Sequence, residues 1–119
     1  MKLTRVLRYL QEIVDDRRII SMDNFDTLKT LVNAAYAVYP DMRSHMGGIM
    51  SLCAGVLHTR SSKQKLNTKS STEADLVGVS KYLPYHIWWV NFLEYQGYCT
   101  ENKIICQDNQ SAIKMEKNG

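Results

Sequence analysis

The longest unbroken apolar period in the chain lies between residues 72 and 95. Leu76, Val79, Leu83, Ile87, Val90 and Leu93 recur at spacings of three and four, which predicts one long helix with these six on its buried face. Pro84 removes a backbone donor and is expected to bend it, and Gly97 is the expected stop. Strand-like runs flank this helix on both sides. A long helix between two strands carries the chain back along a sheet, so the strand after it should run the same way as the strand before it.

The remaining periods are shorter. Leu3, Val6, Leu7, Leu10 and Val14, with Arg5, Arg8, Glu12, Asp15 and Asp16 between them, predict an amphipathic helix over 2–16. Residues 21–26 read as a turn and 25–32 as a strand ending at Asn33, followed by an irregular connection over 34–45 that contains Pro40-Asp41. Gly47-Gly48 is expected to open a second strand over 49–53. Ala54-Gly55 should turn the chain into a third, from Val56 to about Lys65. Residues 103–107 predict a short buried strand and 110–117 a last helix. The expected architecture is α/β: an N-terminal helix and then β-β-β-α-β-α. With two hairpin connections and one crossover, the first and fourth strands become parallel. The ends of those strands and the start of the long helix then meet at one edge, which would gather Asn33, Glu73 and Asp108.

At 119 residues the chain is at most one domain, large enough to bury a single core. Its 45% hydrophobic and 23% charged residues are ordinary for a globular protein, and a net charge of +3 permits a polyanion partner without requiring one. Locally the charge is more pointed. Arg60, Lys63, Lys65 and Lys69 fall in a stretch with no acid between His58 and Ser71, which reads either as a nucleic-acid-binding patch or as a solvated strand edge. Cys53, Cys99 and Cys106 are odd in number and lack metal-ligand spacing, which argues against a zinc site or a disulfide framework and fits a reducing compartment. The first residues carry no apolar signal-peptide core, and no apolar run approaches the length of a membrane span. A cytoplasmic or nuclear location is expected.

Glu73 and Asp108 stand out because each sits at a junction between an extended run and a helix. Both have structural readings as well. Glu73 could complete a capping box with Ser70, Asp108 could favour the start of the last helix through its dipole, and Asn33 could be a turn residue. Trp88 and Trp89 are adjacent on a helix, so one should be core and the other exposed. His45, His58 and His86 match no ligand spacing and are expected in surface or hydrogen-bonding roles, while Asp41 and Asp75 are expected in solvent. Nothing supports a serine or cysteine nucleophile.

Residues 68–74, Thr-Lys-Ser-Ser-Thr-Glu-Ala, together with 107–112, Gln-Asp-Asn-Gln-Ser-Ala, resemble the ribonuclease H domain of copia-type LTR-retrotransposon polyproteins. Residues 34–38 and 43–48 are similar to the same family. Residues 5–10, Arg-Val-Leu-Arg-Tyr-Leu, resemble the helix that joins it to the reverse transcriptase. The resemblance covers nearly the whole chain and implies a connection helix over 1–20 and a partial ribonuclease H-like domain over 21–119. It implies a family that cleaves the RNA strand of RNA–DNA hybrids with four carboxylates and two Mg2+ or Mn2+ ions, and the parent reverse transcriptase and the hybrid as partners. Glu73 and Asp108 match the second and third acids, as catalytic and metal-binding residues. Asn33 stands where the family has the first Asp, and the chain ends before the fifth strand and the helix that bears the fourth acid. The resemblance therefore implies a truncated, catalytically inactive copy, marginal in stability, with an open edge at the fourth strand and a first helix that frays or lies across the exposed surface. The alternatives are a non-catalytic nucleic-acid-binding module using Arg60, Lys63, Lys65 and Lys69, or a relic with no cellular role.

Overall fold

The computed structural model describes residues 2–17, 26–52 and 54–118. The chain forms α1 (Lys2–Glu12), β1 (Thr27–Ala35), β2 (His45–Leu52), β3 (Gly55–Lys63), α2 (Ser71–Tyr95), β4 (Asn102–Cys106) and α3 (Gln110–Lys117). The strands make one mixed sheet in the order β3-β2-β1-β4. Neighbours β1–β2 and β2–β3 are antiparallel, and β1–β4 are parallel. The expected α/β order and the parallel first and fourth strands are thus present. The expected turn at 21–26 and the start of the first strand at Phe25 fall almost wholly outside the described residues, as does Cys53.

Alternation in β1 and β2 decides which face is buried. Leu28, Thr30 and Val32 point inward from β1, and Met46, Gly48, Met50 and Leu52 from β2. Against them α2 lays Val79, Tyr82, Val90 and Leu93, closing the core. On the opposite face Leu31 and Ile49 are exposed.

The core-facing stripe of α2 is rotated from the expected one. Ala74, Asp75, Gly78, Val79, Tyr82, His86, Val90 and Leu93 are buried, whereas Leu83 and Ile87 are exposed and Leu76 is half-buried. Small residues explain the rotation. Ala74 and Gly78 let the helix approach β1 closely, and a Cβ on Gly78 would sit 3.4 Å from Val32 Cγ1. Leu76 and Leu83 face a shallow groove with Ile105 and Glu116 instead. The helix runs through Pro84 and ends as expected: Gly97 adopts a positive φ of 86°, Gly97 N–H bonds Glu94 O and Tyr98 N–H bonds Leu93 O.

Other boundaries also shift. β1 continues past Asn33 to Ala35, and β2 begins at His45, so Gly47 and Gly48 lie inside β2 instead of opening it. The connection is residues 36–44, held by Ser44, whose Oγ accepts from Ala37 N–H and pairs with Thr68 Oγ1 at 3.0 Å. β4 is not a buried strand. It is the sheet's edge, with Asn102, Lys103 and Ile104 exposed, because only β1 pairs with it among the described strands. The helix expected over 2–16 spans Lys2–Glu12 and buries none of its residues.

All three histidines make hydrogen bonds, as expected. His45 joins Tyr39 and Ser61, His58 joins Tyr82, and the buried His86 ring lies 2.8 Å from Thr30 Oγ1. Burial, with Lys103 adding its charge, holds His86 below the ordinary imidazole value of 6.5. The folded state therefore prefers the neutral ring. Its stabilisation is complete above 6.5 and is lost as the pH falls below that value, because the unfolded chain takes up the proton first. The melting temperature is expected to fall between about pH 7.5 and pH 5.5, and to fall less in a His86→Gln variant. Equal pH dependence in the two proteins would contradict this assignment.

Candidate functional site

The parallel pairing of β1 with β4 sets Leu31 opposite Cys106. Carrying that register two residues on brings Asn33 level with Asp108. Both line a concavity of about 690 Å³ on the sheet face away from α2. Leu31, Gly47, Gly48, Ile49 and Cys106 give it an apolar floor, and Thr59, Arg60, Ser61 and Gln107 complete the rim. The sequence thus places two of its three expected positions in one site.

Glu73 is not among the residues that line it. Its carboxylate turns back to accept from Lys69 N–H at 2.7 Å, while Ser70 Oγ accepts from Glu73 N–H at 3.1 Å. This is the capping-box role, with the bond returned one residue before the cap. Asn33 is a strand residue rather than a turn residue, and it is exposed.

The acid expected in solvent, Asp75, is the buried one. Its Oδ1 accepts from Ala34 N–H at 3.0 Å and its Oδ2 from Asn109 Nδ2 at 3.0 Å. Asn109 Oδ1 meanwhile accepts from Ser111 and Ala112 N–H, capping α3. One carboxylate therefore ties β1, α2 and α3 together directly behind the concavity. Asp41 is exposed as expected, though paired with Lys63 at 2.7 Å and Arg43 at 3.4 Å, and the Lys63 ammonium holds its carboxyl below the usual value.

The donor set does not fit two divalent ions. Asp108 contributes one carboxylate and Asn33 a neutral amide, while the Arg60 guanidinium turns to the other sheet face, over the Tyr85 ring of α2. Gln107 adds to the mismatch. Its Oε1 accepts from Asp108 and Asn109 N–H, which leaves the amide nitrogen, a donor, buried without a partner among the described residues. Hard cations need several oxygen ligands and negative charge, and a two-metal centre needs bridging carboxylates. Among the described residues no three His, Cys, Asp or Glu side chains gather closely enough to hold a metal ion.

Compared with known proteins, the chain matches no family model, no curated protein and no solved structure. Among the described residues no helix is long and apolar enough to cross a membrane. The described cysteines, Cys99 and Cys106, are free thiols.

Of the four basic residues, Arg60, Lys63 and Lys65 converge on a smaller hollow between β3 and α2, and Lys69 is not among its lining residues. Sequence reasoning missed Lys81 and Tyr85, which complete that hollow from α2, as well as Asp75, Asn109 and Gln107. Asn109 alone had a legible signal, a favoured N-cap type directly before a helix. Trp88 is exposed and Trp89 packs against the core, as adjacency on a helix requires.

Proposed function

We propose that this chain is a ribonuclease H-like domain of the copia retrotransposon type in which hybrid cleavage has been lost. The observation that carries the reading is the parallel β1–β4 pair, which brings Asn33 and Asp108 to one concavity while Glu73 opens the intervening helix. These are the positions of the family's first three acids in their expected chain order. Loss of cleavage follows from the charges: a single lining carboxylate, a neutral amide at Asn33, and Glu73 engaged in capping.

The test restores the missing charge. In Asn33→Asp two carboxylates would face one concavity, enough for a single Mn2+. Millimolar Mn2+ is expected to raise its melting temperature by about 5 °C or more while leaving the unsubstituted chain unmoved. No metal-dependent shift in Asn33→Asp would remove the case for a ribonuclease H-like site. Metal-dependent hybrid cleavage by the unsubstituted chain, abolished by Glu73→Gln, would show that activity is retained.

A second reading, a nucleic-acid-binding module without catalysis, is favoured by the convergence of Arg60, Lys63 and Lys65 with Lys81. Binding of this kind neutralises phosphates and weakens steeply with salt.

A further inference from the structure

We infer that the hollow between β3 and α2 is a binding site for phosphoryl groups, formed by Arg60, Lys65 and Lys81 with Ser62 and Tyr85. This goes beyond the ribonuclease H-like reading and stands without it, because neither Asn33 nor Asp108 lines the hollow.

Charge carries the inference. Four cations, Arg60, Lys63, Lys65 and Lys81, line a cavity of about 240 Å³ that has no acid among its lining residues. Asp41 neutralises Lys63 from outside, with Nζ 2.7 Å from its Oδ2. Among the described residues Arg60, Lys65 and Lys81 form no ion pair, so their positive charge has no counterpart there. Like charges held together repel, and a bound anion relieves that repulsion.

Shape and preorganisation narrow the ligand. The volume falls below the roughly 300–1,000 Å³ of sites that enclose whole small molecules, so the cavity suits one or two phosphoryl groups rather than a whole nucleotide. Arg60 does not swing freely: its guanidinium lies 4.9 Å from the Tyr85 ring centroid, and that ring stacks on His58 with centroids 5.6 Å apart. A planar fork held against an aromatic ring suits bidentate contact with phosphate oxygens, while the two lysines act as point charges. The Ser62 hydroxyl supplies a neutral donor. The phosphoryl groups could belong to a free oligophosphate or to a nucleic-acid strand, since the chemistry recognised is the same.

The test is a titration of the full chain with inorganic pyrophosphate at low ionic strength, followed by amide chemical shifts. Saturable shifts are expected in residues 60–65 and at Lys81. Lys81→Gln, a change at a half-exposed helix position, should weaken binding by about tenfold or more, the effect of one charge-assisted hydrogen bond. Lys69→Gln should leave it within about twofold, since a charge outside the hollow contributes only a screened field. Absence of saturable shifts would overturn the inference, and so would equal weakening by Lys69→Gln and Lys81→Gln, which would mean general basicity. A labelled single-stranded oligonucleotide then separates the sources. Displacement by pyrophosphate assigns the hollow to strand phosphates, and retention of both ligands assigns it to free oligophosphate. The Mn2+ response of Asn33→Asp arises on the sheet face opposite the Arg60 guanidinium, so the two proposals can fail separately.

Discussion

Gly48→Ala is expected to destabilise the protein by about 3 kcal/mol or more. A Cβ at this position would fall inside the Tyr82 ring, against Cε2, Cδ2 and Cζ. Tyr82 has no room to yield. It is 1% exposed, its ring is wedged between β2 and α2, and its hydroxyl is held 2.9 Å from His58 Nδ1. The glycine here has no unusual φ and serves only to let an aromatic ring lie against the strand. Its neighbour is the control. A Cβ on Gly47 would meet nothing closer than Arg60 O at 4.0 Å, so Gly47→Ala should be neutral or slightly stabilising through the unfolded chain. Chemical denaturation of both variants checks the contrast. Similar stabilities would mean that Tyr82 does not pack on Gly48. Combining Gly48→Ala with Tyr82→Leu should restore part of the loss, because the two sites share one contact.

The second large effect is expected at Asp75. Removing its carboxylate in Asp75→Ala leaves the Ala34 N–H without its acceptor and Asn109 Nδ2 with only its longer bond to Thr72 Oγ1 at 3.4 Å, a loss of about 2–4 kcal/mol for a buried, doubly bonded group. Asp75→Asn should lose less, since its amide oxygen can still accept from Ala34 while its NH2 meets the Asn109 NH2. Asn109 cannot turn over to compensate, because its Oδ1 caps α3 through Ser111 and Ala112. Asp41→Ala provides the comparison: an exposed ion pair with Lys63 and Arg43 should matter little. Denaturation midpoints in the order Asp75→Ala, Asp75→Asn, Asp41→Ala are the expected result. Equal midpoints for Asp75→Ala and Asp41→Ala would show that the carboxylate does not join the three elements. In the expected case hydrogen exchange should also rise in α3, whose cap depends on the same asparagine.

Much of the fold was legible because local signals and tertiary structure agree. The last helix over 110–117 and the end of the long one at Gly97 rest on caps and periodicity, which neighbouring residues supply. The parallel relation of β1 and β4 followed from connection lengths alone. Legibility stopped where the answer depends on what lies across a gap. Of the six apolar positions that repeat on α2, Val79, Val90 and Leu93 are buried as expected, but Leu83 and Ile87 are exposed, and the buried face takes in Ala74, Asp75, Gly78 and His86 where the helix packs closely on β1.

The candidate site shows the same division. The acidic junctions were visible as sequence, and their identity as Glu73 and Asp108 needs no structure. Their separation does: Glu73 spends its carboxylate on the backbone of Lys69, while Asp108 faces Asn33 across the parallel pair. The basic run was visible as well, but a run has no shape. Lys69 leaves the group and Lys81, in another element, joins it, because β3 and α2 lie side by side.

By itself the sequence determined the elements, their order and the direction of the strands. These depend on side-chain period, backbone conformational preference and loop length, which act over a few residues. Tertiary structure alone decided which face of α2 is buried, which aspartate is hidden, and which charges share a hollow. Those outcomes depend on steric fit and on hydrogen-bond partners brought together from distant positions, 41 residues apart for Ala34 and Asp75 and 56 for Thr30 and His86.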